Sequence, residues 1–226
     1  MGITLTSYAH ERNREHEKQK KTGGPAVTIS REFGCPAKPI TKELIELINK
    51  THQNKWKWVS KEIMHESAKE LGTPPSELKY FFKYHEQGML DGILNTQSRF
   101  YISDRKVYKT IRKVIKTIGL SGNTIIVGRG GAAICHEIEN SLHIRLIAPL
   151  EWRTKMVMDF YHLDRIKAIE FIRNYDQKRK KFMEHFQKTD KKLAIFDVIY
   201  NCSSISKQEI VKSVYSLIKD KGMLNN

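Results

Sequence analysis

Three places in the chain carry cations at spacings suited to phosphate. Lys38 stands near the end of the bend Phe33-Gly34-Cys35-Pro36-Ala37-Lys38-Pro39, just where apolar residues take up helical spacing. Arg129 lies among glycines in Gly128-Arg129-Gly130-Gly131, directly after the apolar run Thr124–Val127. Arg173, Asp176 and Arg179 follow one another at i, i+3 and i+6 of a helical stretch, on or near one face. A guanidinium grips phosphate through paired hydrogen bonds, an ammonium meets it as a point charge, and a carboxylate can orient neighbouring arginines. The chemistry these residue types share is phosphate binding. Each group also has a plainer reading: a structural loop, a buried ion pair, or a solvated cluster on a helix surface.

The elements that must position them read clearly. Ala26–Ile29 is a short apolar strand, and Ile40, Leu44, Ile45, Leu47 and Ile48 mark a helix over Ile40–Asn49. Strand, short loop and helix form a frame on which phosphate can bind, because a helix N-terminus presents free N–H groups and a positive dipole end. The bend departs from the pattern G-x-x-x-x-G-K-[ST]. Pro36 and Pro39 have no N–H to donate, and Pro39 follows Lys38. Thr41 lies about a turn beyond Lys38.

Further along, Trp56–Val59 reads as a strand and Lys61–Leu71 as a helix, with a second helix restarting at Thr73-Pro74 beside the aromatic cluster Tyr80-Phe81-Phe82 and Tyr84. The run from Ser103 is a strongly amphipathic basic helix. Thr124–Val127 has the β-branched continuity of a strand buried on both faces. Leu142–Ala148 is a strand, Glu151–Phe160 and Arg165–Phe186 are helices, Ala194–Asn201 is the last strand, and Lys207–Lys219 the C-terminal helix. Strands alternating with helices imply an α/β fold with a parallel, doubly wound sheet, whose ligands bind at the carboxyl ends of the strands.

The chain has 226 residues, enough for one medium domain, and 39% of them are hydrophobic, enough for a core. Forty basic residues against 25 acidic give +15, which implies an anionic partner: a nucleotide, a nucleic acid, or an anionic membrane surface. Residues 1–22 are polar and basic and read as a flexible N-terminal extension. Neither an apolar run long enough to span a bilayer nor an apolar leader is evident, so a cytoplasmic protein without membrane association is expected. Three scattered cysteines, Cys35, Cys135 and Cys202, fit a reducing compartment and argue against a disulfide scaffold or a structural metal site. The Tyr80–Tyr84 aromatics would suit core packing or a homo-oligomer interface.

Taken together, VTISREFG at Val27–Gly34, IIVGRGG at Ile125–Gly131, HIRLIAPLEWR at His143–Arg153, DxxR at Asp176–Arg179 and FDVIYN at Phe196–Asn201 resemble the cytidylate kinase-like family of P-loop nucleoside monophosphate kinases. The resemblance implies a P-loop NTPase-type α/β/α fold with a parallel sheet of about five strands. It implies a core of residues 23–60, 121–150 and 191–226, a helical monophosphate-binding insertion at about 61–120, and a lid at about 151–190. It implies transfer of a phosphoryl group from ATP to a CMP- or dCMP-like acceptor, with Mg²⁺. By the same resemblance Arg31, Gly34, Cys35, Ala37, Lys38 and Thr41 would hold the ATP phosphates. Ser60, Lys61, Arg129 and Gly130 would hold the acceptor. Lys38, Arg129, Arg173, Asp176 and Arg179 would act on the transferring phosphate. A catalytically impaired nucleotide sensor on the same fold, and a basic nucleic-acid-binding protein, are the competing expectations.

Overall fold

Ala26–Ile29 and Thr124–Val127 are apolar apart from Thr28 and Thr124, and neither segment leaves a face for water. In the computed structural model, which describes residues 23–60, 62–72, 74, 104–187 and 195–224, they are the buried strands β1 (Ala26–Arg31) and β3 (Thr124–Val127). With β2 (Lys57–Val59), β4 (Ser141–Ile147) and β5 (Val198–Asn201) they form one five-stranded sheet in the order β2-β3-β1-β4-β5. Every pairing is parallel. Ile29 lies opposite Val127 on one side and Ile144 on the other, so the carboxyl end of β1 opens between β3 and β4. The N-terminal extension, Lys61, the helix expected from Thr73 and the Tyr80–Tyr84 aromatics lie outside the described residues.

Helices cover both faces, giving the expected α/β/α layers. On one face α1 (Ala37–Thr51) and α7 (Lys207–Asp220) pack on Val27, Ile29, Ile125, Val127, Leu142 and Ile144. The fully buried Ile40, Leu44 and Ile48 of α1 each contribute roughly 1.5–3 kcal/mol by leaving water. On the other face α2 (Glu62–Leu71), α3 (Asp104–Leu120) and the short α4 (Gly131–Cys135) gather around Ile126 and Phe186. A helix pair, α5 (Leu150–Tyr161) and α6 (Arg165–Glu184), closes a smaller cluster of its own on Phe33.

Two boundaries differ from those read in the sequence. Helix α1 begins at Ala37 and takes Pro39 into its first turn, where a missing N–H costs nothing because no intrahelical acceptor exists there. The last strand is shorter than the apolar run suggested, beginning at Val198. Asp197 just before it accepts the His143 backbone N–H at 2.6 Å, a side-chain contact that replaces a ladder bond.

His143 itself is buried on β4. Thr28 Oγ1 lies 2.8 Å from its Nδ1, and Ser141 Oγ lies 3.0 Å from its Nε2. Because the Ser141 hydroxyl donates to the Ile138 carbonyl at 2.5 Å, the consistent assignment is a neutral ring protonated on Nε2 and accepting from Thr28. Burial pushes this imidazole down to about 4, while the unfolded chain keeps the ordinary 6.5. The unfolded state therefore binds the extra proton between these values, and the contribution is complete above pH 6.5 and lost as pH falls toward 4. Wild-type protein should lose about 3 kcal/mol of stability over that interval. His143→Gln should flatten the dependence in urea melts taken at each pH; an unchanged slope would contradict a neutral buried histidine.

Candidate active site

At the carboxyl ends of β1, β3 and β4 the sheet opens into a cavity of about 660 Å³, roofed by residues 175–184 of α6. Its floor is Ser30 and Arg31 from β1, Gly128–Gly130 after β3, and Arg145 from β4, which lies opposite Ser30 in the register. Gly128 and Gly130 have φ of 73° and 71°, and Arg129 between them is also left-handed at 56°. A side chain at Gly128 would collide with the Arg31 guanidinium, so the glycine both takes the left-handed turn and makes room for the cation.

The cavity gathers positive charge. Arg31 is pushed well below the ordinary guanidinium range, to about 9, first by loss of hydration, then by the charges of Arg179 and Arg129. Arg179 is lowered chiefly by loss of hydration, with Asp176 acting the other way. Among the described residues no carboxylate forms an ion pair with Arg31. Lys178 and Lys181 of α6 add to the rim. The buried Gln187 Nε2 at the cavity edge has no hydrogen-bond partner among the described residues and is a donor suited to an acceptor oxygen. Tyr108 of α3, stacked on His185 at 3.5 Å between ring centroids, forms the aromatic end.

Five of the residues singled out in the sequence meet here: Arg31, Arg129, Gly130, Asp176 and Arg179. The others lie elsewhere. Lys38 is exposed on the first turn of α1, and Arg173 is exposed on α6. Ala37 is buried in the core. The Thr41 hydroxyl donates to the Ala37 carbonyl at 2.7 Å. Gly34, at φ 93°, lies so close to Arg153 that a Cβ would come within 3.0 Å of the Arg153 Cβ. The Cys35 thiol is raised above its ordinary value by its hydrogen bond to Cys202 and by loss of hydration, which keeps it protonated. The Ser60 N–H donates to Glu62 Oε2 at 2.8 Å, and Ser60 is not among the residues lining the cavity. Arg145, Lys178, Lys181 and Gln187 were not anticipated as site residues. Arg145 could have been found from strand alternation, which puts it on the face of β4 shared with His143.

One buried side chain ties the bend to the helix pair. Arg153, on the first turns of α5, donates from Nε to the Ala148 carbonyl at 2.9 Å and from Nη1 to the Phe33 carbonyl at 3.1 Å. The same Nη1 meets Asp176 Oδ2 at 2.6 Å, and Nε lies 3.4 Å from Glu32 Oε2. Asp176 in turn accepts the Phe33 N–H at 2.6 Å. The Phe33 ring stacks on Tyr175 at 4.8 Å and meets Phe171 edge-on at 5.3 Å. Arg179 lies over the other part of this assembly, 5.0 Å from the Phe33 centroid, and donates to the Arg31 carbonyl at 3.4 Å.

The family model described as the cytidylate kinase-like family matches residues 26–203. The chain belongs to that family. Among curated proteins, a cytidylate kinase of Sulfolobus acidocaldarius is 26% identical over 121 residues, 53% of this chain and 64% of that protein; the match thus spans less than two thirds of the relative's length. The crystal structure of an uncharacterized protein from Eubacterium ventriosum superposes with a TM-score of 0.63 at 18% identity, over 86% of this chain and 98% of that one. A shikimate kinase from Acinetobacter baumannii, solved with shikimate, gives a TM-score of 0.49 at 11% identity, over 90% and 97% of the two chains. The family is therefore in hand for this chain, together with the parallel α/β fold observed. Among the described residues no helix is long and apolar enough to cross a membrane.

The Arg153 tie makes a direct prediction. Arg153→Met should lower unfolding free energy by about 3–5 kcal/mol, because Asp176 and two carbonyls lose a buried cationic donor. Arg153→Lys should restore only part of it, since one ammonium cannot serve acceptors fanned around a planar guanidinium. Urea denaturation of both variants measures this, and equal stability of the Lys variant and wild type would show that charge alone suffices.

Proposed function

We propose that this cytidylate kinase-like protein is a nucleoside monophosphate kinase that transfers the γ-phosphoryl group of ATP to a CMP- or dCMP-like acceptor. The observation that carries this reading is the juxtaposition of Arg31, Arg129 and Arg179 at the carboxyl edge of the sheet, with Arg31 pushed down first by loss of hydration and then by its cationic neighbours. Cations crowded where water is excluded are costly until an anion arrives. Phosphoryl transfer asks for little more than holding two phosphates in line and neutralising the charge that develops between them. In the proposed step an acceptor phosphate oxygen bonds to the γ-phosphorus as the bridging oxygen leaves with ADP. Arg129, from the floor, would face the acceptor phosphate, and Arg179, from the roof, the transferring group. Asp176 positions the roof through Arg153 and Phe33.

The α5–α6 pair would serve as a lid within about residues 151–190, residues 61–120 would include the acceptor-binding insertion, and residues 23–60, 121–150 and 191–226 would form the core. A lid that shuts over such a site excludes water from the reacting phosphates. The Tyr108–His185 wall offers a nucleobase an apolar surface at the far end of the cavity. The arginine cluster fits the triphosphate of ATP by charge. For Mg²⁺ the fit is different: among the described residues no group of three carboxylate, histidine or cysteine side chains could hold a metal, and Thr41 is committed to Ala37. A magnesium ion fits here as a companion of the nucleotide, bound to phosphate oxygens and water.

The test is diphosphate formation from ATP with Mg²⁺ and a panel of CMP, dCMP, UMP, AMP and GMP, resolved by anion-exchange chromatography. CMP or dCMP should be the preferred acceptor. Arg129→Ala and Arg179→Ala should each lower kcat/KM by roughly 10²–10³, the usual cost of removing one donor to developing charge, while keeping the wild-type fold by circular dichroism. Failure of folded wild type to make any diphosphate, accompanied by nucleotide-dependent thermal stabilisation, would turn the reading toward a nucleotide sensor.

A further inference from the structure

We propose that Arg145 joins Arg31 as a phosphate-binding residue of this site, and that the Gly34–Pro39 bend is a scaffold rather than the phosphate cradle. The inference deepens the proposed function and rests on it only for the nature of the natural ligand.

Two sets of observations lead to it. The first concerns the bend. Of the residues Gly34–Pro39, Pro36 and Pro39 have no N–H, the Cys35 N–H donates to the Glu32 carbonyl at 3.3 Å, and the Ala37 N–H donates to the Cys35 carbonyl at 2.9 Å. The preceding Phe33 N–H is held by Asp176 at 2.6 Å. Gly34 faces the Arg153 backbone and Cβ, a close approach that uses up the space a glycine would otherwise leave for phosphate. Lys38 is exposed and does not line the cavity. An oxyanion cradle needs several convergent N–H groups, and this bend has spent or lost most of its own.

The second concerns the cavity floor. Arg31 is in the cavity, beside Arg129 and Arg179, without a carboxylate paired to it among the described residues. Arg145 enters the same cavity from β4, opposite Ser30. Its nearest carboxylate oxygen, Glu32 Oε1, is at 4.0 Å, the outer limit of an ion pair, and that carboxylate is shared with Arg153 and the Ala148 N–H. Arg31 and Arg145 thus approach from adjacent strands, and planar guanidinia from two directions can take several oxygens of one polyphosphate.

The experiment uses inorganic tripolyphosphate as the probe, at about 0.15 M salt so that remote surface charge is largely screened. Binding to the full chain is measured by calorimetry and by thermal shift. Wild type and Lys38→Ala should bind equally, and Arg31→Gln and Arg145→Gln should each bind at least tenfold more weakly. A second measurement needs no variant: arginine modification by phenylglyoxal, read by peptide mass spectrometry, should be slowed at Arg31 and Arg145 when tripolyphosphate is present. Weaker binding by Lys38→Ala, alone or together with the arginine variants, overturns the proposal. So does absence of binding to wild type, or modification of Arg31 and Arg145 unaffected by the probe. Since the readout is binding of an inorganic anion, a protein that binds it yet forms no diphosphate fails the kinase reading and leaves this one standing. A kinase whose tripolyphosphate binding depends on Lys38 does the reverse.

Discussion

A single buried guanidinium holds the working end of this molecule together. Arg153 joins the end of β4 through Ala148, the bend after β1 through Phe33, and helix α6 through Asp176. These pieces come from distant parts of the chain: Phe33 and much of the α5–α6 pair form a cluster of their own, while Trp152 of α5 packs on one sheet-face core and Phe182 and Met183 of α6 on the other. The Arg153 tie adds a polar coupling to these apolar contacts. Such a tie is directional and intolerant of substitution, because its acceptors were desolvated on the assumption that the cation would be present. The position of Arg179, and hence of one wall of the cavity, follows from it.

The second constraint is the opposite in sign. Around Arg31 the protein holds cations that repel one another where burial has already removed water. Folding does not favour such an arrangement by itself; the surrounding structure must supply the free energy to hold it. Left-handed backbone at Arg129, a residue with a Cβ, adds to that cost. A site kept against local preference is what binding requires, since the anion then recovers interaction free energy without first reorganising the protein. Membership in a kinase-like family and this charge distribution point to the same class of ligand.

Much of the architecture was legible from periodicity. Ala26–Ile29 read as a short buried strand and Thr124–Val127 as one buried on both faces, and the alternation of strands with amphipathic helices implied the parallel sheet that is observed. The glycine-flanked Arg129 and the Asp176–Arg179 pair also reached the cavity, because each sits at a place the topology determines: the carboxyl end of a central strand, and one face of a long helix. Lys38 drew attention through its position beside a helix start, yet side-chain direction on the first turn of α1 is set by which residues must enter the core. Ala37, Ile40 and Thr41 do so, and Lys38 turns outward. Arg145 was hidden for the complementary reason, as a cation inside an apolar strand invites a packing explanation until its neighbours are known. The role of Arg153 depends on contacts 120 residues away in sequence, which no local pattern carries.

The bend and the helix pair are best understood as one mechanical unit. Pro36 and Pro39 fix backbone angles that a glycine-rich loop would leave free, and the Phe33 ring, gripped by Tyr175 and Phe171, anchors that stiff segment under α6. Arg179 stacks on the same ring while donating to the Arg31 carbonyl. A displacement of α6 would thus carry a cation away from the cluster at the moment it uncovers the cavity, and its return would restore charge and exclude water together. Any such opening and the removal of the Arg179 charge would coincide in this geometry, because the aromatic anchor and that cation lie one on the other.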